Sequence, residues 1–498
     1  MTDKIPAWIA DGYAEALQAL EQNRPNKAEG LARSILAAFP QHGGAMTLLA
    51  MSALAQGRAE ESAAWAKACL SLTPDDGQSL YILGMAQKAL ADLPGAADSL
   101  TRAAANLPNR ADIRINLANL KQDMGDFEGG LAQYRLAVDL EPENAQLRYN
   151  LGLSLLTLGR FEEGWRESEW RWKAAGLDLA GVDFKAPAWM GEDMSGKTLL
   201  LWAEQGMGDS IMCCRYVPLL AARGVRVLLQ APRSLLSLFS SLEGLAGLAH
   251  DRLTPSHPSD AELNVNRSLK QIGRADSRPQ SKPEDGFVFR RSALFAEGEP
   301  LPPFDAQAPL LAVPGRLGTT LATIPGQVPY LQAPKERRIY WRQKLAETKG
   351  FKVGLVWRGN PHHANDAARS IPPQLLRPLL DVPGISWIAL QPDPGSDPGS
   401  DPLPIPNAGP DLTDWGDTAG LVSNLDLLIA VDTSTAHLAG ALGIPCWLML
   451  PFMPDWRWML KRSDSPWYPT ITLFRQESPG GWDGVVRRLA SALRQILR

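Results

Sequence analysis

Proline recurs in the first third of the chain at a fixed interval, and no other feature of the sequence constrains the fold as strongly. The four prolines, each 34 residues from the next, are Pro40, Pro74, Pro108 and Pro142. In the same register a leucine is followed directly by a small residue, at Leu49 and Ala50, Leu83 and Gly84, Leu117 and Ala118, and Leu151 and Gly152. A fixed period of this length indicates stacked supersecondary units rather than one closed core.

The 34-residue pattern resembles the tetratricopeptide repeat, in which two helices pack through a small residue and a proline follows the second helix. Four repeats cover about residues 9–142, and a fifth begins at Glu143. The resemblance implies an all-α superhelix over residues 1–175. We predict that three tryptophans at its end seal the stack against the next domain: Trp165, Trp170 and Trp172.

The concave groove of such a superhelix usually holds an extended peptide or a protein helix. Three asparagines on the predicted first helices of the repeats are candidates to face this groove and to bind a peptide backbone: Asn116, Asn119 and Asn150. The alternative for each is an ordinary solvated position on a helix surface. The repeats therefore predict a protein partner without identifying it.

The composition gives the chain only a small net charge. The sequence has 498 residues and a formal charge of -4, which gives no electrostatic case for nucleic acid or an acidic membrane. An anionic ligand must therefore be bound by local groups. The four cysteines show neither a disulfide framework nor metal-ligand spacing, and we see no secretion signal or long apolar run. We expect a cytoplasmic protein with no metal site.

Beyond residue 175, strand-like and helix-like segments alternate, as is typical of doubly wound α/β domains. Predicted strands cover residues 198–203, 225–230, 352–357, 385–391, 427–431 and 446–450. We expect two lobes, over residues 176–345 and 346–498, with a cleft beyond the carboxyl ends of their strands. The predicted fold class is therefore α plus α/β.

The segment VDTSTAHLAGALGIPCW, residues 431–447, places polar side chains where a predicted strand meets a helix. These residues are Asp432, Thr433, Ser434, Thr435 and His437. Free backbone N–H groups at a helix start, joined by hydroxyls, can bind phosphate oxygens without a net positive charge. The alternative is structural: Asp432 or Ser434 caps the helix, and His437 is a half-buried packing residue.

This segment resembles the donor-binding motif of the heptosyltransferase-like glycosyltransferases, and EQGMGDS, residues 204–210, resembles their Gly-rich acceptor-side loop. VGLVWRGNP and PDWRWMLKRSDSPWYPTITLFRQ resemble bacterial proteins in which tetratricopeptide repeats precede this module. The arrangement is similar to protein O-linked N-acetylglucosamine transferases and flagellin glycosyltransferases. The resemblance implies a B-type glycosyltransferase fold: two Rossmann-like lobes, the nucleotide sugar held mainly by the second, and a last helix crossing back to the first. It implies no metal and no further cofactor.

On this resemblance, the second lobe binds the donor. Thr433, Ser434 and Thr435 hold its phosphate, and Arg358 and Asn360 neutralise or orient that group. Gln391 follows another strand and could read the base or ribose. The nucleotide (ADP, UDP or CMP), the sugar and the stereochemical outcome stay open.

The first lobe supplies the acceptor side. Gly206 and Gly208 let the backbone approach a ligand closely, and Asp209 is the candidate general base, with Glu204 as a second candidate. The alternative for Asp209 is the N-cap of the following helix.

We therefore expect a metal-independent enzyme that glycosylates Ser or Thr of a protein recruited by the repeats, with flagellin as a candidate acceptor. Two other interpretations compete with it. One is a peptide-binding adaptor whose transferase module is inactive, and the other is a heptosyltransferase-like enzyme acting on a glycan.

Overall fold

The computed structural model describes residues 6–174, 184–204, 206–245, 293–362, 365–391 and 403–498, and elements are numbered within these ranges. The helices are α1 Ala7–Glu21, α2 Pro25–Ala38, α3 Gly43–Ala55, α4 Ala59–Leu72, α5 Gly77–Ala89, α6 Leu93–Asn106, α7 Ala111–Asp123, α8 Phe127–Leu140, α9 Ala145–Thr157, α10 Phe161–Ser168, α11 Met207–Cys213, α12 Val217–Ala222, α13 Leu236–Phe239, α14 Val313–Arg316, α15 Lys335–Lys344, α16 Asp366–Arg369, α17 Pro373–Leu380, α18 Trp415–Val422, α19 Ser434–Leu442 and α20 Trp482–Ile496. The strands are β1 Thr198–Trp202, β2 Arg226–Ala231, β3 Leu294–Ala296, β4 Ala306–Pro309, β5 Phe351–Val356, β6 Ile385–Ala389, β7 Leu427–Val431, β8 Cys446–Leu450 and β9 Ile471–Arg475. Among the residues covered by these ranges, no helix combines the length and the apolar character needed to cross a membrane.

Helices α1–α10 form consecutive packed pairs, which confirms the predicted repeats. The repeated small residue has a steric basis at Gly84, where a Cβ atom would lie 2.7 Å from Leu100 Cγ. The turns inside the pairs need a left-handed residue, which is Gly at three of them and Ala91, with φ of 61°, at another. The glycines in question are Gly57, Gly125 and Gly159.

Two of the three tryptophans at the end of the repeats contact the α/β part, as predicted. Trp165 donates its indole N–H to the Thr319 carbonyl at 2.8 Å, and its ring lies 5.3 Å from that of Trp456. The ring of Trp172 lies 5.4 Å from that of Trp202. The repeats and the lobes therefore share one apolar core at this junction.

Trp170 differs from its two neighbours. Its ring lies beneath two cations, 4.5 Å from the Arg148 guanidinium carbon and 4.6 Å from Lys173 Nζ. Trp170 therefore makes its cation–π contacts within the last repeat, which differs from the predicted packing against the next domain.

A buried ion pair also ties the repeats to the first lobe. Arg171 Nε and Nη2 donate to the two carboxylate oxygens of Glu204 at 3.0 and 2.8 Å. The two side chains are only 2% and 1% exposed. Arg171 also pairs with Glu169 at 3.0 Å, and Glu169 in turn pairs with Arg316 at 3.1 Å. Glu204 is therefore committed to holding the domains together.

Two parallel sheets, with helices between their strands, form the rest of the described chain. The first has the order β3-β2-β1-β4 and the second has the order β6-β5-β7-β8-β9. Both orders reverse beside the first strand of the sheet, which is typical of doubly wound sheets and places ligands at the carboxyl ends of the strands near the reversal. The predicted strands agree with the observed ones to within one residue at each end, except that β6 ends two residues before the predicted end at residue 391.

The two lobes meet where α11 packs on α19. Gly208 allows this approach, since a Cβ atom on it would lie 2.8 Å from His437 Cδ2 and 3.4 Å from Ser434 Cα. Buried Arg215 reinforces the contact by donating to the carbonyls of Met212, at 2.8 Å, and Trp467, at 2.6 Å. Direct helix packing and the Arg215 guanidinium thus both join the lobes.

Two expected boundaries differ from the observed packing. Helix α15, expected at the end of the first lobe, packs on α18 of the second. The final helix α20 was expected to cross back to the first lobe, but its apolar face packs on the second sheet and on α17, which corrects that expectation. The boundary predicted at residues 175 and 176 falls outside the described residues.

The buried ion pair predicts a stability effect. Glu204→Gln leaves the Arg171 charge short of a partner, so we expect the free energy of unfolding to fall by about 3 kcal/mol. The matched control is Glu163→Gln, which breaks the exposed pair with Arg135 and should change stability by less than about 1 kcal/mol. Urea unfolding followed by tryptophan fluorescence measures both, and equal effects contradict the prediction.

The close helix contact makes a second prediction. Gly208→Ala forces α11 and α19 apart and should lower stability by about 1–3 kcal/mol. Gly206→Ala is the control, because the nearest atom to its added Cβ is Asp209 Oδ2 at 3.5 Å, an ordinary contact distance. Differential scanning calorimetry on both variants gives the comparison. If both variants melt with the wild type, steric contact at Gly208 does not set the lobe spacing.

Candidate functional site

A cleft of about 950 Å³ lies between the lobes, beyond the carboxyl ends of their strands. It brings together the predicted residues of both lobes: Gly206, Gly208, Asp209, Arg358, Asn360, Gln391, Asp432, Thr433, Ser434, Thr435 and His437. Glu204 is absent from the lining, since it is paired with Arg171. Within the described ranges, histidine, cysteine and acidic side chains form no cluster that could hold a metal ion.

The start of α19 presents free backbone donors to this cleft. Thr433 is the N-cap, but its hydroxyl donates to the Val431 carbonyl at 3.2 Å and makes no cap hydrogen bond. The first turn, which includes the N–H groups of Ser434 and Thr435, therefore has no side-chain acceptor among the described residues. The structural alternative, in which Asp432 or Ser434 caps the helix, is not what the structure shows. An anion at this position would satisfy the free donors.

His437 is a buried, neutral member of the site. Its Nδ1 lies 2.9 Å from the Tyr468 hydroxyl, and its ring lies 5.1 Å from that of Trp458. Burial, together with the positive Arg457 and Arg215, holds the pKa of His437 well below its usual range. His437 thus contributes hydrogen bonding and packing at neutral pH, and no positive charge.

Asp209 is held from the opposite lobe by Arg457. The N-cap of α11 is Gly206, so Asp209 stands in the first turn and is not the cap. One carboxylate oxygen, Oδ1, accepts a hydrogen bond from Arg457 Nη2, while Arg457 Nη1 donates to Asp455 at 2.7 Å. Burial raises the pKa of Asp209, Arg457 opposes that shift, and Asp455 adds to it. The general-base role stays a prediction, with geometry that permits it.

Asp432, at the end of β7, also has a shifted pKa. Burial, aided by the charge of Asp455, raises the pKa of Asp432 to about 7. Its backbone carbonyl accepts a hydrogen bond from Arg369 Nη1 at 2.8 Å. Near neutral pH this carboxyl is therefore only partly ionised, which lowers its repulsion of an anion at the adjacent helix start.

The remaining predicted donor residues lie at the ends of β5 and β6. Gln391 is 3% exposed, and its Oε1 accepts hydrogen bonds from the backbone N–H groups of Trp357 at 3.1 Å and Arg358 at 3.3 Å. Asn360 accepts from the His362 N–H at 3.0 Å. Gln391 thus fixes the backbone that carries Arg358, and its carbonyl oxygen is already used.

A second, smaller cavity of about 290 Å³ contains two of the predicted groove asparagines, Asn119 and Asn150. It lies between the last repeats and the segment Met453–Trp456 of the second lobe. Asn116 lies one turn earlier on α7 and donates to the Tyr81 hydroxyl at 3.0 Å. The structure therefore places two of the three asparagines beside the α/β part, and the third is engaged within the repeats.

Sequence reasoning missed several lining residues, above all Arg457, Asp455 and Arg369. Asp455 and Arg457 follow β8, a predicted strand, so the rule that ligands bind beyond strand ends could have found them. Arg369 comes from the short helix α16, which had no sequence signal of its own.

The sequence is similar to one family model, in the repeats, and to one curated protein, over a longer stretch of the chain. A family model described as tetratricopeptide repeat matches residues 13–77 and 115–164. Protein FlbA of Caulobacter vibrioides is 29% identical over 352 residues, which are 69% of this chain and 54% of FlbA. The chain therefore spans about half the length of this curated relative.

Two solved structures are also similar. A crystal structure of MamA has 19% identity and a TM-score of 0.29, and covers 31% of this chain and 91% of that one. TTC0263, described as a thermophilic tetratricopeptide repeat protein of Thermus thermophilus, has 21% identity and a TM-score of 0.30, and covers 34% of this chain and 94% of its own. The family model establishes tetratricopeptide repeats in the N-terminal part of the chain.

Proposed function

We propose that this protein is a metal-independent glycosyltransferase of the B-type fold, which transfers a sugar from a nucleotide sugar to Ser or Thr of a protein recruited by the repeats. One observation carries the proposal: an uncapped helix start in one lobe and a buried carboxylate in the other line the same cleft. A group-transfer site needs both an anion site for the leaving group and a base for the nucleophile.

The donor phosphate is assigned to the start of α19. The N–H groups of Ser434 and Thr435 and the nearby hydroxyls bind its oxygens, and Arg358 supplies positive charge from the end of β5. As the bond between the sugar and the phosphate breaks, the nucleotide keeps the electron pair, and the same donors stabilise the charge that develops.

The acceptor proton is assigned to Asp209. A hydroxyl of the acceptor attacks the anomeric carbon, and its proton passes to the carboxylate as the new glycosidic bond forms. The pKa of Asp209 is raised by burial, which makes it a stronger base than an exposed aspartate. Arg457 fixes one carboxylate oxygen, so the other is available for the proton.

The acceptor is assigned to a protein because a cavity beside the last repeats adjoins the cleft. The cavity that contains Asn119 and Asn150 shares Pro454 and Asp455 with the cleft. Flagellin is the candidate acceptor, and the similarity to FlbA agrees with a flagellar role.

The decisive experiment removes the base and leaves the donor site intact. One of ADP, UDP and CMP should bind the wild type, and Asp209→Asn should bind the same nucleotide with the same affinity. Within the described residues, the Asp209 carboxylate pairs with Arg457 and makes no hydrogen bond to the start of α19. Transfer to co-expressed flagellin should fall about 10²- to 10⁴-fold, the range for losing a positioned base. Calorimetry measures nucleotide binding, and intact-mass spectrometry measures transfer.

Asp139→Asn, an exposed change on α8, is the matched control and should behave as the wild type. The proposal fails if no nucleotide binds the wild-type protein, or if Asp209→Asn transfers at full rate. Nucleotide binding without any modification of flagellin would leave a different acceptor, such as a glycan, or an inactive adaptor.

The raised pKa of Asp432 predicts how the stability of the protein depends on pH. Because its pKa is raised to about 7 in the folded protein, folding favours the protonated carboxyl. That contribution is complete below the ordinary aspartate pKa of about 4 and is lost as pH rises through about 7. We therefore expect thermal stability to decline more steeply between about pH 4 and pH 7 in the wild type than in Asp432→Asn. Parallel stability profiles of the two proteins over this interval contradict the assignment.

A further inference from the structure

The second cavity and the cleft have a common wall. Pro454 and Asp455 line both, on the segment that follows β8. Neighbouring residues of this segment contact the repeats: a Cβ atom on Gly125 would lie 3.3 Å from Phe452, and one on Gly159 would lie 2.8 Å from Met459 Cε. A chain lying in the groove at the last repeats must therefore pass this segment to reach the cleft.

The second cavity offers hydrogen-bonding groups and a single charge. Its repeat-side wall carries amides and hydroxyls, including Asn119, Asn150 and Thr157. Asp455 is the one charged residue among the described residues that line it. Its side chain is 37% exposed, so a ligand in the cavity can approach the carboxylate.

The charge of Asp455 is only partly compensated. Its Oδ1 accepts from the backbone N–H of Arg457 at 3.0 Å and from Nη1 at 2.7 Å, and its Oδ2 accepts no hydrogen bond from a described residue. The same guanidinium is shared with Asp209. Two carboxylates therefore share one cation, so Arg457 does not fully neutralise the charge of Asp455.

The shared guanidinium also fixes the spacing between the cavity and the candidate base. Asp209 and Asp455 bind adjacent nitrogens of Arg457, so the two carboxylates lie one guanidinium apart. If a hydroxyl is next to Asp209, the residues that flank it in an extended chain lie beside Asp455.

We propose that the second cavity is a subsite for the acceptor residues that flank the modified hydroxyl, and that Asp455 determines its specificity by rejecting acidic side chains and favouring basic ones. The proposal rests on the proposed function in taking the acceptor to be a peptide with Ser or Thr. Like charges held close at a partly desolvated wall are unfavourable, and opposite charges are modestly favourable.

The test measures peptide binding without nucleotide or transfer. Fluorescently labelled peptides carry one central Thr in a Gly and Ser background, with Lys, Gln or Glu two residues away. Fluorescence polarisation with the full chain measures the affinity of each peptide. The Lys peptide should bind most tightly, the Gln peptide less tightly and the Glu peptide least, with about a fivefold difference in affinity between Lys and Glu at low salt. Raising the salt to about 0.5 M should reduce this ratio, because the charge is exposed.

Asp455→Ser is the informative variant. Serine can still accept the Arg457 N–H as a cap residue, so the turn is kept while the charge is removed. The ratio between the Lys and Glu peptides should fall to about one. Asn150→Ala should weaken all three peptides and leave the ratio unchanged, and Asp139→Asn should change nothing.

Three results overturn the proposal: equal affinity of the wild type for the Lys and Glu peptides, an unchanged ratio in Asp455→Ser, or no binding by any of the peptides. Absence of nucleotide binding, or full transfer by Asp209→Asn, would overturn the proposed function instead. The peptide-binding assay measures neither nucleotide binding nor transfer, so the two failures are distinguishable.

Discussion

The contact of α11 with α19 at Gly208 is the constraint on which the site depends. Each helix begins at the carboxyl end of a parallel strand, and packing them directly brings two strand ends from different sheets to one place. A side chain at position 208 would meet His437 and the backbone of Ser434. The absence of one Cβ therefore sets how close a carboxylate on one lobe can lie to a helix start on the other.

Arg457 makes this proximity electrostatically tolerable. Asp209, Asp432 and Asp455 all line the cleft, and three acidic groups in one partly buried space would repel each other. One guanidinium pairs with two of them, and the third has a pKa raised to about 7. Pairing and partial protonation thus reduce the negative charge that faces the start of α19.

Periodic and directly local features could be predicted from the sequence. The 34-residue spacing predicted the helix pairs, and apolar runs predicted β7 and β8 to the residue. The residues around the start of α19 were located because a strand end and a helix start are adjacent in the chain, and their role in donor binding stays a prediction. Glu204 was predicted in the cleft as a second candidate base, but it pairs with Arg171 of the repeats. No local sequence pattern signals a pair across a domain junction. Arg457 lies beyond the end of β8, where the strand-end rule could have found it, but its pairing with Asp209 of the other lobe has no local signal.

Arg215 has a consequence for how ligands exchange. Its guanidinium is buried and donates to carbonyls in both halves of the α/β part, at Met212 and Trp467, while it lies 4.5 Å from the ring of Tyr468. Hinging the halves apart would break the hydrogen bond to the Trp467 carbonyl and leave this desolvated cation with fewer acceptors, which is energetically costly. Such a molecule behaves as a rigid frame with an entrance of fixed width. A ligand that binds in the cleft must then pass an opening whose width this frame fixes.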